Sequence, residues 1–203
     1  SPDEGIDLGV PVIFEPNPAG MLDNVYAGLK VVHQMHPDAE MAMISSADIP
    51  LLTPPVVDWF IDTCRQSEHD VYYAIIEKSV METAFPESKR SYVPFREGRY
   101  CGGDLFMVRL MAANQNEALV RAAMDRRKSA FRQAQLLGFG TLLKFVFHRL
   151  TIPDAEKVAS RVFGARGRVV ISPYATIGMD VDKPFQYDLV KQIMEQKATA
   201  QPA

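Results

Sequence analysis

The stretch ISSADIPLLTPPVVDWF, Ile44 to Phe60, decides how the rest of the chain is read. A short apolar run, Met41 to Ser45 (MAMIS), passes through Ser46 and Ala47 to a single carboxylate, Asp48, and then turns at Pro50 and Leu51. Thr53 suits a helix cap and Pro54 suits a first helical position, so a helix is predicted from Pro54 to Arg65. A strand that ends on an acid and leads into a helix is a unit of an α/β sheet. Open sheets of that type take their ligands beyond the carboxyl ends of the strands. Asp48 therefore has two readings. It turns the chain ahead of the helix, a common use of Asp, or it holds a divalent ion that bridges substrate phosphates.

Working outward, Val10 to Glu15 (VPVIFE) reads as a buried strand, Met21 to Met35 as a helix, and Val71 to Glu77 (VYYAIIE) as another strand. Lys89 to Val93 and Arg99 to Cys101 flank a Glu97-Gly98 turn as short antiparallel strands, and Gly102 to Val108 continues into an apolar strand. Val169 to Ile171 is a last strand and Tyr187 to Lys197 a last helix, with a frayed tail from Ala198. Alternating strands and helices place the chain in the α/β class: a Rossmann-like, mixed but mostly parallel sheet flanked by helices. All 203 residues form one domain, in which 110–167, almost without strand character, is a helical insertion.

The totals exclude little. The chain is 47% hydrophobic and 23% charged, with a net charge of −3, which gives no reason to expect a nucleic acid partner. The distribution is uneven: from Arg121 to Arg168 eleven Lys or Arg face three acids, so the insertion is basic in an acidic protein. Within it, Leu136 to Leu150 (LLGFGTLLKFVFHRL) is apolar with interleaved cations. That pattern suits a helical subdomain on the sheet with its basic face in solvent, or a lid or platform that attracts an anion, either a phosphorylated acceptor or, as a peripheral contact, an anionic membrane surface. Cys64 and Cys101 form no CxxC pair, which favours a reducing, cytoplasmic setting and two small buried hydrophobes. The four histidines share no ligand spacing. The oligomeric state is not readable.

A second acidic cluster lies in GMDVDKPFQYDL, Gly178 to Leu189. In an extended segment Asp180 and Asp182 face one side, so both carboxylates can point at one ion; alternatively Asp182 caps the final helix and Asp180 is a solvated loop acid. Taken with SADIPLLTPPVVDWF, this late MDVDKPFQYDLV resembles the MobA-like nucleotidyltransferases of the glycosyltransferase-A-type fold, the group of molybdenum-cofactor nucleotidyltransferases and methylerythritol-phosphate cytidylyltransferases. The first box is matched by Asp48, Pro50, Leu51, Thr53 and Pro54; the second by Asp182 and Pro184, with Asp188 and Leu189 displaced by one residue.

The resemblance implies a Mg²⁺ site at Asp48, Asp180 and Asp182, with Asp48 and Asp182 catalytic. It implies nucleotide contacts at Gly20, Asn24, Ser46 and Ala47, and an acceptor lined by Gly102, Gly103 and Asp104. The implied reaction joins a nucleoside triphosphate (CTP or GTP) to a phosphorylated small-molecule acceptor: an acceptor phosphate oxygen attacks the α-phosphorus and pyrophosphate leaves. Such chemistry needs positioning and charge neutralisation more than a nucleophile or a histidine base. The family's opening strand and its L-x-G-G-x-G-x-R-like loop are expected before Ser1, which makes the domain N-terminally incomplete in this sequence. The Asp180-Val181-Asp182 pattern also fits a nucleotide-sugar-dependent glycosyltransferase. A missing phosphate loop would fit a non-catalytic nucleotide-binding module.

Overall fold

In the computed structural model, which describes residues 11–14, 20–126 and 138–200, the apolar runs pair into one sheet, with a single exception at the start. The chain runs α1 (Met21–Met35), β1 (Met41–Ser45), α2 (Pro54–Cys64), β2 (Val71–Glu77), α3 (Lys78–Ala84), β3 (Val93–Phe95), β4 (Gly98–Arg109) and α4 (Leu110–Arg126). It continues with α5 (Phe139–Val146), α6 (Ile152–Phe163), β5 (Gly167–Ser172), a 3₁₀ turn (Ala175–Gly178) and α7 (Pro184–Ala200). The sheet order is β1-β4-β2-β5, with β3 hairpinned onto β4. β2 and β5 pair in parallel, while β4 is antiparallel to both of its neighbours in that order. β1, β2 and β5 therefore share one direction, and the sheet is mixed and mostly parallel, as expected.

Period-2 alternation sends successive side chains to opposite faces, and both faces are covered. Tyr72, Ala74, Ile76, Cys101, Leu105 and Met107 face a core closed by Val56 and Phe60 of α2 and Val190 of α7. Ala42 and Val108 face α1 through Leu29. Ile75 and Tyr100 meet Ile152 of α6. Within 110–167, α4 and α6 pack on each other and α6 packs on β5. The Arg96 N–H donates to the Leu150 carbonyl, which ties the approach to α6 to the β3–β4 turn. Both cysteines are free and buried, and burial pushes the Cys64 thiol up to about 12.

Four expectations change. The strand expected over Lys89 to Val93 forms instead at Val93–Phe95, and Lys89 to Tyr92 lie in no strand. Pro11 to Phe14 lie in no strand, and Val12, Ile13 and Phe14 are exposed. A β-branched run is a strand only where a neighbouring ladder accepts its hydrogen bonds, and no described strand pairs with it. The final helix starts three residues earlier than predicted and runs to Ala200, so Ala198 does not leave it. The α3 helix and the 3₁₀ turn are additions that periodicity does not mark. Residues 1–10, 15–19 and 127–137, with parts of the predicted first strand, the Asn17-Pro18-Ala19 loop and the Leu136–Leu150 segment, lie outside the described residues, as do 201–203. No described helix is long and apolar enough to cross a membrane.

The amino ends of β2 and β5 are clipped by charge. Asp70, just before β2, pairs with Arg166 (3.3 Å), just before β5, and with Arg109 (3.3 Å) at the end of β4; Arg109 also pairs with Glu40, before β1, at 2.9 Å. The Asp70 carboxylate accepts the Arg166 backbone N–H at 2.9 Å as well. Burial pushes this carboxyl up, but the hydrogen bonds and charge of Arg166, helped by Arg109, outweigh it and hold the group below its ordinary range. A depressed acid stabilises the fold above its unfolded value, and that gain disappears as pH falls through the folded one. Asp70→Asn is expected to lower stability by about 1–2 kcal/mol at pH 7, the scale of charge-assisted hydrogen bonds that are partly shielded. The deficit shrinks as the wild type is acidified below pH 4, which urea denaturation at a series of pH values measures.

Candidate active site

β4 carries more residues than its partner. Tyr73 pairs with Phe106 and Ile75 with Gly102, so four steps along β4 oppose two along β2. Because the surplus is two residues, the sheet faces are preserved on either side of it. Such irregularities bend a strand and re-aim its side chains, and they occur beside active sites. The extra residues hold Gly103 and Asp104, and the Ser46 N–H donates to the Asp104 carbonyl at 3.2 Å. The carboxyl end of β1 is thereby fastened to the irregular part of β4.

From that end the chain makes the turn carrying Asp48. Ile49 and Leu51 are buried, and they anchor the turn in the core below it. Thr53 is the residue that caps α2, so Asp48 does not serve as that helix's cap. The Ser46 hydroxyl instead donates to the Asp48 carboxylate. The Val181 N–H donates to the Asp48 carbonyl at 3.0 Å, joining the two acidic boxes, 133 positions apart in sequence, through the backbone.

The second box reaches this position through close packing of glycines. A Cβ on Gly178 would stand 2.6 Å from Ile76 Cδ1 and 3.2 Å from the Gly102 carbonyl, and one on Gly103 would stand 3.2 Å from the Ala74 carbonyl. Tyr73's hydroxyl occupies the space that a Gly102 side chain would need. These glycines let the 3₁₀ turn rest on β4, which delivers Asp180 beside Asp104.

Four carboxylates now share one neighbourhood. Burial raises the Asp104 carboxyl to about 6, and the charges of Asp180, Asp48 and Asp182 add to that rise against the pull of Arg90. The Asp104 Oδ2 atom is buried with no hydrogen-bond partner among the described residues. Asp180 is raised too, by burial first and by Asp182 and Asp48 after it, although Arg90 opposes them. Arg90 donates one guanidinium nitrogen to Asp180 and the other to the Gly102 carbonyl at 3.3 Å. Gln186, itself buried, accepts the N–H groups of Asp182 (3.1 Å) and Lys183 (2.8 Å), and its amide donates to Asp180 at 3.5 Å.

Sequence reasoning missed Arg90 and Gln186. The signal for Gln186 was present: it follows Pro184 by two residues, the third position of a helix, where Gln reaches back to the first N–H groups. Arg90 carries no local signal, because its partners come from β4 and from the segment after β5. The remaining predicted residues are distributed unevenly. Ser46 and Ala47 adjoin Asp48, and Ala47 with Asp48, Val181 and Tyr187 lines a largely apolar cavity of about 440 Å³. Gly20 and Asn24 belong to the start of α1, where the Asn24 N–H donates to the Gly20 carbonyl and Asp23 pairs with Arg121 of α4 at 2.7 Å. No described hydrogen bond or cavity links that helix start to the carboxylates. Gly102 and Gly103 serve the packing just described.

Among the described residues, no three His, Cys, Asp or Glu side chains form a group that could hold a metal ion by themselves. Mg²⁺ does not require one: it accepts one or two carboxylates and completes its shell with water and substrate phosphates. Hard oxygen donors, mutual repulsion and an unpartnered buried carboxylate oxygen suit such an ion. Among the described residues Arg90 pairs with Asp180, and Asp48, Asp104 and Asp182 form no ion pair; of these Asp104 is the one whose carboxyl burial raises to about 6.

A family model described as a MobA-like NTP transferase domain matches residues 2–161. That match ends before β5, so Asp180 and Asp182 lie beyond it. No curated protein matches the chain. Among solved structures, a hypothetical transferase from Thermus thermophilus is 30% identical, with a TM-score of 0.79 over 88% of this chain and 74% of its own.

Asp104 gives this neighbourhood a pH signature. An acid whose folded value is raised costs stability once the unfolded chain ionises and the folded one does not, so the cost grows from pH 4 to about pH 6 and stays constant above. Asp104→Asn is therefore expected to stabilise the apo protein by about 1 kcal/mol at pH 8, a figure discounted for partial exposure. The gain vanishes at pH 4. Thermal unfolding of both proteins across that range checks it.

Proposed function

The chain belongs to the MobA-like NTP transferase family, and on that premise we propose that it is a Mg²⁺-dependent nucleotidyltransferase acting on a nucleoside triphosphate and a phosphorylated small-molecule acceptor. The observation that carries the reading is the crowding of Asp48, Asp104, Asp180 and Asp182 at the carboxyl end of the sheet, with one buried carboxylate oxygen left without a partner. A purely structural cluster of acids would be expected to bring enough cations to balance itself; this one brings Arg90. The deficit suits a ligand that arrives with a divalent ion.

In the proposed reaction an oxygen of the acceptor's phosphate forms a bond to the α-phosphorus, and the bond from that phosphorus to the bridging oxygen breaks. The pyrophosphate leaves with the bonding electrons, and the product carries a diphosphate linkage. Mg²⁺, when bound, neutralises the phosphate oxygens on which charge gathers. Asp48 and Asp182 would hold it, and the Val181–Asp48 hydrogen bond keeps the two segments in step. Arg90, by pairing with Asp180, limits the repulsion among the carboxylates, and Asp180 would support the metal-holding pair from beside it. Ser46, by donating to Asp48, sets the rotamer of that carboxylate. Ser46 and Ala47, which adjoin Asp48, are the residues that would contact the nucleotide. Positioning of this kind supplies rate without any group that becomes covalently attached.

In a chain that includes any segment needed for activity, Asp48→Asn is expected to reduce Mg²⁺-dependent pyrophosphate release from CTP or GTP by about 10²-fold or more, the scale for losing a group that stabilises developing charge. The variant should keep the wild-type unfolding midpoint within a few degrees. Pyrophosphate release at the wild-type rate would rule out this role for Asp48.

A further inference from the structure

A separate hollow of about 270 Å³ borders the same segment as the Asp48 cavity: Val181 lines that cavity and Asp182 lines this hollow. Its wall is built from Ser88, Lys89, Arg90 and Ser91, which follow α3, and from Asp182, Lys183, Phe185 and Gln186 around the start of α7. Three cations and one acid line it, a local excess of two positive charges in a chain whose net charge is −3. Arg90 is committed to Asp180 and to the Gly102 carbonyl. Lys89 and Lys183 have no acidic partner among the described residues.

The geometry that presents Lys89 is unusual. Its backbone sits at φ +50°, the left-handed region that side-chain-bearing residues rarely adopt, and its ammonium lies 5.3 Å above the Phe185 ring. A strained backbone and a cation resting on an aromatic face hold a charge at the rim of a hollow, where solvent alone would let it swing free. Lys183 lines the same hollow, and its backbone N–H is already taken by Gln186. The side-chain cations are what remains to recognise a ligand.

We infer that this hollow is the subsite for the phosphate group of the acceptor, with Lys89 and Lys183 as its anion-binding residues. The name of the occupant rests on the transferase reading above, while the anion preference rests on the cavity alone. The volume accommodates a phosphomonoester head, and Asp182, proposed above to hold the metal, forms part of the same wall. An acceptor phosphate held here would keep its own charges matched by lysines and would point one oxygen toward the carboxylate cluster.

Inorganic phosphate is the probe. Isothermal titration of the full chain should show binding that weakens at least tenfold in Lys89→Gln/Lys183→Gln and falls with added salt. Both lysines are exposed, so the variant is expected to fold; circular dichroism and the unfolding midpoint confirm that, and Lys183→Gln alone provides the milder case. Saturating CTP or GTP with Mg²⁺ should leave phosphate affinity within about twofold. If the triphosphate displaces phosphate, the hollow serves the nucleotide and the acceptor assignment is overturned. Equal phosphate binding by wild type and double variant, or none by either, overturns the subsite itself. If phosphate binds as expected while no triphosphate stabilises the protein and no pyrophosphate is released, the anion site stands and the transferase reading falls.

Discussion

Carboxylates repel one another, and the carboxyl end of this sheet is organised around that repulsion. Asp48, Asp104, Asp180 and Asp182 come from three separate segments, and each arrival raises the cost of the next. At an effective dielectric of about 20, two unit charges 4 Å apart differ from their separated state by about 4 kcal/mol, so several such contacts would strain a fold of ordinary stability. The structure contains the strain in two ways. Arg90 neutralises part of Asp180, and Asp104 retains its proton up to a pH of about 6. What remains unbalanced is the part of the site that a metal–phosphate ligand can relieve.

The geometry has to be rigid for this to work, because acids free to move would separate. Rigidity comes mostly from the backbone. The Ser46–Asp104 and Val181–Asp48 hydrogen bonds stitch β1, β4 and the segment after β5 together without using a single acidic side chain. Gly178 and Gly103 pack against backbone carbonyls at distances that a side chain would not permit without displacement. Gln186 binds the chain on either side of Lys183's amide and reaches Asp180 as well. The two surplus residues of β4 place Asp104 within this frame while leaving the hydrophobic alternation of the strand intact, so the core above and below does not sense the irregularity.

Much of the scaffold was legible in the chain. Met21–Met35, Met41–Ser45 and Val71–Glu77 occur with the bounds that periodicity predicts, and α2 starts at Pro54 with Thr53 at the cap position, although the Thr53 side chain makes no capping hydrogen bond. Local signals suffice there because each element carries its own pattern. The run at Pro11 to Phe14 shows where that logic stops: its composition is that of a strand, but a strand is a relation between two segments, and composition describes one. The proximity of Asp48 to the second acidic box was expected from resemblance, and its physical basis, the Val181–Asp48 hydrogen bond, is invisible in either motif. Asp104 was anticipated as a residue lining the acceptor, whereas its electrostatic membership of the acidic cluster depends on a register shift that no sequence pattern marks. Arg90 stayed hidden for the same reason, since both of its acceptors lie far from it in sequence.

The two ends of the sheet divide their tasks by how completely charge is matched. At the amino end Asp70, Arg109, Arg166 and Glu40 alternate in sign, and each acid has at least one cation within 3.3 Å. That end is a clip: its groups are satisfied and have no chemical demand left to place on a ligand. At the carboxyl end the acids outnumber their cations and one buried oxygen has no partner among the described residues, while Lys89 and Lys183 line a neighbouring hollow and form no ion pair there, although Asp182 shares its wall. Folding alone would be served better if those lysines had been set against Asp48 and Asp182. Leaving these charges unpaired forgoes internal ion pairs, and on the proposed reading it leaves one field for a cation carried by phosphates and another for a phosphate. On that reading a substrate pair that brings both charges would satisfy each field at once.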